Sequence, residues 1–330
     1  MRIPYRELDD TLRQILARAG MSTERAALSA RLFADASADG FPSHGLNRFP
    51  LFVSCIERGL VNVSATPECV SSFGALERWD GRRGPGNLNA HHCMARAIEL
   101  ARAHGIGAVA LAQTNHWMRG GAYGWQAANA GVVGICWTNT LPNLPPWGST
   151  SPRIGNNPLV IGVPRAGGHV VLDMAMSQFS YGALSVHRLR GTELPVDGGY
   201  DEEGLLTRSP AAIERTKRLL PIGFWKGSAL SIVLDMMATL LSAGQATHEI
   251  APVVADETGQ SQVFLAIDAS VLGTDGTSSL DRIIEDLHDT GDGVRYPGER
   301  TLATRRQSMA EGVEVEPSIW EAVRTLLARQ

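Results

Sequence analysis

Within Ser43-His44-Gly45-Leu46-Asn47-Arg48 an imidazole and a guanidinium stand four residues apart at what reads as the start of a helix. Residues four apart on a helix share one face. His44 can there hold a proton next to a substrate oxygen, while Arg48, one turn on, grips a carboxylate through a forked pair of hydrogen bonds. That is equipment for reducing a 2-oxo acid, and a helix N-terminus would lower the pKa of the imidazole and sharpen it as an acid. The hexapeptide has a second reading, with Ser43 as a cap, His44 in a solvated first turn and Arg48 as a surface charge.

A second cluster, Thr114-Asn115-His116-Trp117-Met118-Arg119-Gly120-Gly121, follows a strand-like run over residues 106–112, where α/β proteins place ligand groups. Asn115, His116 and Trp117 are its candidate substrate contacts, with His116 bonding a carbonyl or hydroxyl and Trp117 flooring a pocket. The competing reading makes Trp117 a core aromatic and His116 a satisfied structural histidine. Thr138-Asn139-Thr140 and Gly155-Asn156-Asn157-Pro158 put further polar groups at strand ends, so Asn139 joins the candidates for one cleft. Lys226, in Phe224-Trp225-Lys226-Gly227-Ser228, precedes a long apolar helix whose N-terminus suits an anion such as a pyrophosphate; it also reads as a solvated lysine before a capping serine. Asp173 ends an apolar strand and is suited to a ribose hydroxyl or to capping the next turn.

Other chemistries lack an anchor. Gly105, Gly107 and Ala110 fit G-x-G-x-x-A, but they follow a helix and precede a strand, the reverse of a Rossmann fingerprint. No P-loop, G-x-S-x-G or H-E-x-x-H occurs, and Cys55, Cys69, Cys93 and Cys136 show no zinc spacing, so no metal is expected and the thiols read as reduced and structural. A net charge of −4 without a basic stripe argues against nucleic acid and anionic membranes as partners, leaving a small molecule. No apolar run nears the roughly 20 residues of a membrane span and MRIPYRELDD lacks a signal-peptide core, which places the chain in the cytoplasm as an expectation.

The elements that must position these residues are legible in outline. At 330 residues and 44% hydrophobic, the chain can form about two domains. Helices are expected over residues 5–19, 22–40 and 47–58, with His44 in a hinge; then come helices over 94–104 and 122–130 and strands over 106–112 and 132–137. A hairpin is expected over 158–163 and 169–174, a buried helix over 228–243, a last strand over 263–267 and a C-terminal helix over 318–329. Residues 190–217 and 289–298 read as loops or lids. The alternation specifies an α/β layer structure.

Taken together, SHGLNRF, HGIGAVAL, NHWMRGGAYGWQAA, ICWTN, PPWG, RIGNNPL, LDMAMSQFSYG, LPVDGGYDEEG and GFWKGSALSIVLDMMATLLS resemble the malate/L-lactate dehydrogenase family of non-Rossmann NAD(P)-dependent oxidoreductases. The likeness begins near residue 5 and weakens after about residue 245. It implies a non-Rossmann mixed sheet flanked by helices, of the L-sulfolactate dehydrogenase type, in a homodimer with its active site near the subunit interface. It implies His44 as proton donor. It also implies a nucleotide lying against His169, Val170, Val171, Leu172, Asp173, Met174 and Ala175, against Trp225 and Lys226, and against Gly298, Glu299 and Arg300. The Gly-Glu-Arg at 298–300 departs from the family look-alike, which has a histidine in the middle, and Asn143-Leu144 also differs. The parts are expected to be a helical domain (residues 1–75), an α/β domain (76–300) and a C-terminal segment (301–330) packed on the first. The resulting expectation is an NADH-dependent reductase of a 2-oxo sugar acid, with catalytic His44, Arg48 and His116. Asp173 near a ribose disfavours NADPH while Arg165 would accept its phosphate, so NADPH stays open. Malate, lactate, sulfolactate, ureidoglycolate or a cyclic imino acid are the alternatives on the same fold, and a non-catalytic sugar-acid-binding protein is the alternative from another class.

Overall fold

Leu8, Leu12, Ile15 and Leu16 recur at the spacing of one helical face, and all four are buried in the first helix of a computed structural model that describes residues 1–273, 277–291 and 293–328. The helices are α1 (Tyr5–Arg18), α2 (Thr23–Ala38), α3 (Phe49–Glu57), α4 (Gly86–His104), α5 (Gly121–Asn129), α6 (Tyr181–Leu189), α7 (Pro210–Thr216), α8 (Trp225–Ser242), α9 (Thr277–His288), α10 (Glu299–Glu311) and α11 (Pro317–Ala328). The strands are β1 (Arg2–Ile3), β2 (Glu68–Phe73), β3 (Leu76–Asp80), β4 (Ile106–Thr114), β5 (Val133–Thr138), β6 (Leu159–Val163), β7 (Val170–Met174), β8 (Gly199–Tyr200), β9 (Leu206–Thr207), β10 (Gln260–Ile267) and β11 (Val313–Glu314).

The main sheet has the order β2-β3-β4-β10-β5-β6-β7, with β3 parallel to β4 and the other neighbours antiparallel, so it is mixed. Strand alternation builds a layer on each face. Val109 and Leu111 of β4 point into a core with α4 and α5, whereas Ala110 packs with Leu234 and Ala238 of α8 on the other side. Gly105 caps α4 in a left-handed conformation (φ 82°), consistent with its exclusion from a phosphate loop.

A separate core joins the two ends of the chain. Leu12, Phe33 and Phe49 pack with Val313, Trp320 and Val323, and β1 pairs with β11 beside them. The N-terminal limit expected at residue 75 falls inside the β2–β3 hairpin, whose strands both belong to the main sheet. Asp39, at the end of α2, stitches the parts together: its buried carboxylate meets the Arg119 guanidinium on the loop after β4 and takes Arg305 of α10 at 2.6 and 2.7 Å.

Two expectations change. The segment over residues 190–217 is not simply loop, since it holds the β8–β9 pair and α7, started by Ser209, whose hydroxyl accepts from the Ala212 N–H, with Pro210 in the first turn. Within the other expected loop, Asp292 lies outside the described residues, as does Arg329 of the expected C-terminal helix. The expected burial of α8 holds for one face only. Val233, Met236 and Leu240 are exposed at 48, 65 and 80%, because the sheet covers a single stripe of a helix that is apolar nearly all round.

Trp117 is 2% exposed and packs on Tyr123 and Phe264 in the α4/α5 core. Trp117→Ala is expected to cost about 3–5 kcal/mol of unfolding free energy, read from urea denaturation. A loss under about 1 kcal/mol would place the ring outside the core.

Candidate active site

His44 does not open a helix. Pro42–His44 and Leu46–Arg48 are two separate 3-10 turns, broken at Gly45, so His44 and Arg48 do not share the helical face expected from their spacing. The break has a packing cause: a Cβ on Gly45 would lie 2.2 Å from Ser37 Oγ, and that hydroxyl accepts the Leu46 N–H at 2.8 Å. Ser43 caps nothing; its hydroxyl lies 3.1 Å from His44 Nδ1. The His44 imidazole is held below its ordinary pKa chiefly by burial, with Asp173 pulling it back up and Arg48 and Arg119 adding to the lowering. Burial thus replaces the helix dipole expected from sequence.

The loop after β4 brings His116 against His44, ring centroids 5.9 Å apart and 23° from parallel. That loop rests on the start of α4, where a Cβ on Gly86 would come within 2.1 Å of the Asn115 carbonyl oxygen. His116 Nδ1 accepts the Met118 N–H at 3.0 Å, so the neutral ring carries its proton on Nε2. Burial holds this imidazole well below its usual pKa, and Arg48 and His44 lower it further. His116 thus presents its Nε2–H as a donor, and of the two imidazoles only His44 has a carboxylate, Asp173, among the influences that raise its pKa.

Arg48 lines a cleft with Phe52, Asn115, His116, Met118 and Glu257. Its Nη2 lies 3.4 Å from Glu257 Oε2, a carboxylate that the sequence reading missed. Nothing local could have revealed the pair, since its members are 209 residues apart.

Three candidate substrate contacts are corrected or narrowed. Asn139 is fully buried and saturated, donating to Asp235 Oδ1 at 2.9 Å and the Gln245 carbonyl at 2.7 Å while accepting the Ser261 N–H at 2.8 Å. It fastens α8 to the sheet, as does Asn157 by donating to Ser231 Oγ at 3.1 Å. Trp117 is core. Asn115 lines the cleft, yet its amide N–H groups are taken by the carbonyls of Arg83 at 2.8 Å and Gly84 at 2.9 Å, leaving Oδ1 as the unpartnered atom.

The candidate nucleotide residues gather along β7, an edge strand of the main sheet. Val170, Val171, Leu172, Asp173 and Met174 form it, flanked by His169 and Ala175. Its two ends are met by the other candidate segments. Val171 N–H donates to the Pro297 carbonyl at 2.9 Å beside Gly298 (φ 96°), and Ile222 N–H donates to Met176 O at 2.8 Å just before Trp225 and Lys226, both exposed at the start of α8. Asp173 Oδ2 accepts the Gly121 N–H at 2.8 Å, so it meets the start of α5 and not the turn after its own strand that was expected from sequence. His169 is bound to the Arg165 N–H and, at 3.0 Å, to Asn129. Glu299 faces His288 at 3.2 Å, and Arg300 is exposed.

A family profile described as malate/L-lactate dehydrogenase matches residues 3–324. Proteins named 2,3-diketo-L-gulonate reductase from Citrobacter koseri and Klebsiella pneumoniae are each 45% identical over 99% of this chain and 100% of their own. Among solved structures, Δ1-piperideine-2-carboxylate reductase from Pseudomonas syringae pvar. tomato superposes with a TM-score of 0.89 at 30% identity, covering 99% of each chain. Sulfolactate dehydrogenase from Methanocaldococcus jannaschii shares the fold, with a TM-score of 0.90 at 24% identity over 99% of this chain and 97% of its own.

Because burial depresses both imidazoles, the unfolded chain binds more protons than the folded one below the ordinary histidine value of 6.5. The contribution of these two histidines to stability is therefore full above about pH 6.5 and is lost as pH falls, by at most about 1.4 kcal/mol per pH unit for each. His116→Gln is expected to flatten this slope in urea titrations between about pH 8 and pH 5; a slope identical to that of the unaltered protein would show that His116 charges freely in the folded state.

Proposed function

The chain belongs to the malate/L-lactate dehydrogenase family and is an oxidoreductase, and on that premise we propose that it reduces a 2-oxo sugar acid with NADH, 2,3-diketo-L-gulonate to 3-keto-L-gulonate. The observation that carries the reading is the convergence of His44, the His116 ring stacked against it and a cleft-lining Arg48 at one place. The substrate comes from the full-length relatives, since the strand-end asparagines once expected to bind hydroxyls are consumed inside the fold.

The residues along β7 fit a dinucleotide. Ser177 Oγ, just past the strand, is buried and has no partner among the described residues, and the 18-residue α8 presents its N-terminus and Lys226 beside the same end. Lys226 would hold the phosphates and the 169–175 segment the nucleosides, with Gly298 lying close against the other end. When bound, NADH supplies the hydride. Arg48 takes the substrate carboxylate, and His116 Nε2–H donates to a substrate oxygen. Protonated His44 transfers its proton to the ketone oxygen as negative charge develops there. Its lowered pKa makes the imidazolium a stronger acid, and the nearby Asp173 carboxylate keeps the charged form within reach. NADH is proposed over NADPH because Arg165, the candidate for a 2′-phosphate, is engaged with Asp281 at 2.8 Å.

We further propose a cytoplasmic homodimer organised as an N-terminal helical domain with the C-terminal segment packed on it, and an α/β domain. No helix among the described residues is long and apolar enough to cross a membrane. The dimer reading draws support from the apolar stripe of Val233, Met236 and Leu240 on α8, which a second copy would cover.

His44→Ala is expected to lower kcat by about 100- to 10,000-fold with NADH affinity unchanged, and Arg48→Lys to raise KM for the acid more than it lowers kcat. Both are read from NADH consumption against 2,3-diketo-L-gulonate, oxaloacetate and pyruvate, with NADPH in parallel; wild-type rates in His44→Ala would remove it as proton donor. Light scattering is expected to give twice the mass of one chain, reduced to one chain by Met236→Lys with Leu240→Lys. A single-chain mass without substitution would contradict the dimer.

A further inference from the structure

The cleft that holds Arg48 is electrically almost closed. Among the described residues lining it, Arg48 is the strongly basic side chain and Glu257 the acidic one, His116 is an imidazole that burial holds well below its usual pKa, and Leu51, Phe52, Val61 and Met118 are apolar. The Glu257 side chain is 3% exposed against 22% for Arg48, so the carboxylate sits behind the guanidinium. Its contact with Arg48 is single, Oε2 to Nη2 at 3.4 Å, which leaves other guanidinium N–H groups for a ligand.

Glu257 cannot easily withdraw. Gln260 Nε2 donates to its Oε1, and the Leu141 backbone N–H bonds it as well. The turn ahead of it is pinned to α3: Arg58 donates to the Ala255 carbonyl at 2.9 Å and pairs with Asp256, and Cys55 Sγ lies 3.7 Å from the same carbonyl. Burial pushes the Glu257 carboxyl up, while Arg48, the Leu141 N–H and Gln260 favour its charged form.

We infer that Glu257 is the residue that sets the charge of the accepted substrate, admitting a 2-oxo acid with one carboxylate and a neutral, hydroxylated tail and rejecting dicarboxylates. The inference rests on the reductase reading above. One substrate carboxylate neutralises Arg48. A second finds no further cation among the described residues that line the cleft and meets the Glu257 carboxyl held beside Arg48, whereas a hydroxyl or amide N–H can donate to it. Rejection by repulsion and acceptance by hydrogen bonding thus come from one side chain.

The test compares oxaloacetate with its distal amide, 2-oxosuccinamate, which has nearly the same shape and one charge fewer. At about pH 8, where carboxylates are ionised, the unaltered enzyme is expected to favour the amide at least about 10-fold in kcat/KM, a difference of about 1.4 kcal/mol. Where either compound is not turned over, its competitive inhibition of 2,3-diketo-L-gulonate reduction gives the same ratio. Glu257→Gln, which removes the charge and keeps an acceptor, is expected to bring the ratio within about threefold of unity, chiefly through a lower KM for oxaloacetate. Glu257→Asp keeps the charge and is expected to retain the discrimination, which a merely structural role would not predict. If the unaltered enzyme reduces 2,3-diketo-L-gulonate but treats the pair alike, or if a folded Glu257→Gln discriminates as before, the inference fails and the reductase reading stands. If it reduces no sugar acid, the reading beneath it fails first.

Discussion

Asp39 is a carboxylate buried to 3% exposure, and such a charge persists only where cations and hydrogen bonds replace the water it has lost. Its partners come from the two other parts of the chain: Arg119 from the loop that carries His116, and Arg305 from the helix that follows Gly298. Arg119 also stacks on Phe41, 4.2 Å from the ring centroid and three residues before His44, and its Nε approaches Asp173 to 4.0 Å. The turn with His44, the loop with His116 and the edge strand proposed for the nucleotide are therefore registered against one buried charge. Neutralising Asp39 would leave two guanidiniums facing each other across that junction.

Electrostatic division of labour follows from this framework. The two imidazoles lie nearly parallel, yet their surroundings differ. His116 has its Nδ1 committed to the Met118 N–H and no carboxylate among the influences that shift it, whereas His44 has Asp173 near enough to offset part of the desolvation. A shared burial with one unequal neighbour is sufficient to set the proton affinities of the two imidazoles apart. The Arg48–Glu257 pair adds a second asymmetry, since the more deeply buried acidic side chain lies 3.4 Å from the guanidinium that lines the cleft.

Strong local signals were legible in the sequence. The helices expected over residues 5–19 and 94–104, the strands over 106–112 and 132–137 and the hairpin over 158–174 fall on α1, α4, β4, β5 and the β6–β7 pair. Chemistry-bearing types also marked His44, Arg48 and His116, which the fold brings together, although the argument from a shared helical face was wrong because Gly45 packs on Ser37 and splits the turn. Asn139 and Trp117 show the opposite error. A polar or aromatic residue at a strand end looks the same in sequence whether it faces a ligand or is satisfied internally, and both are satisfied internally.

What the sequence by itself determined is the set of reactive groups, the helical and strand segments, and the exclusion of a Rossmann phosphate loop, since these depend on residue type and near-neighbour spacing. Only the tertiary structure decided which groups share an environment. Arg119 and Arg305 lie 80 and 266 residues from Asp39, and Glu257 lies 209 from Arg48, so no periodicity connects them. The protonation preferences of His44 and His116 were decided there too, because desolvation is a property of the packed interior and has no counterpart in the extended chain.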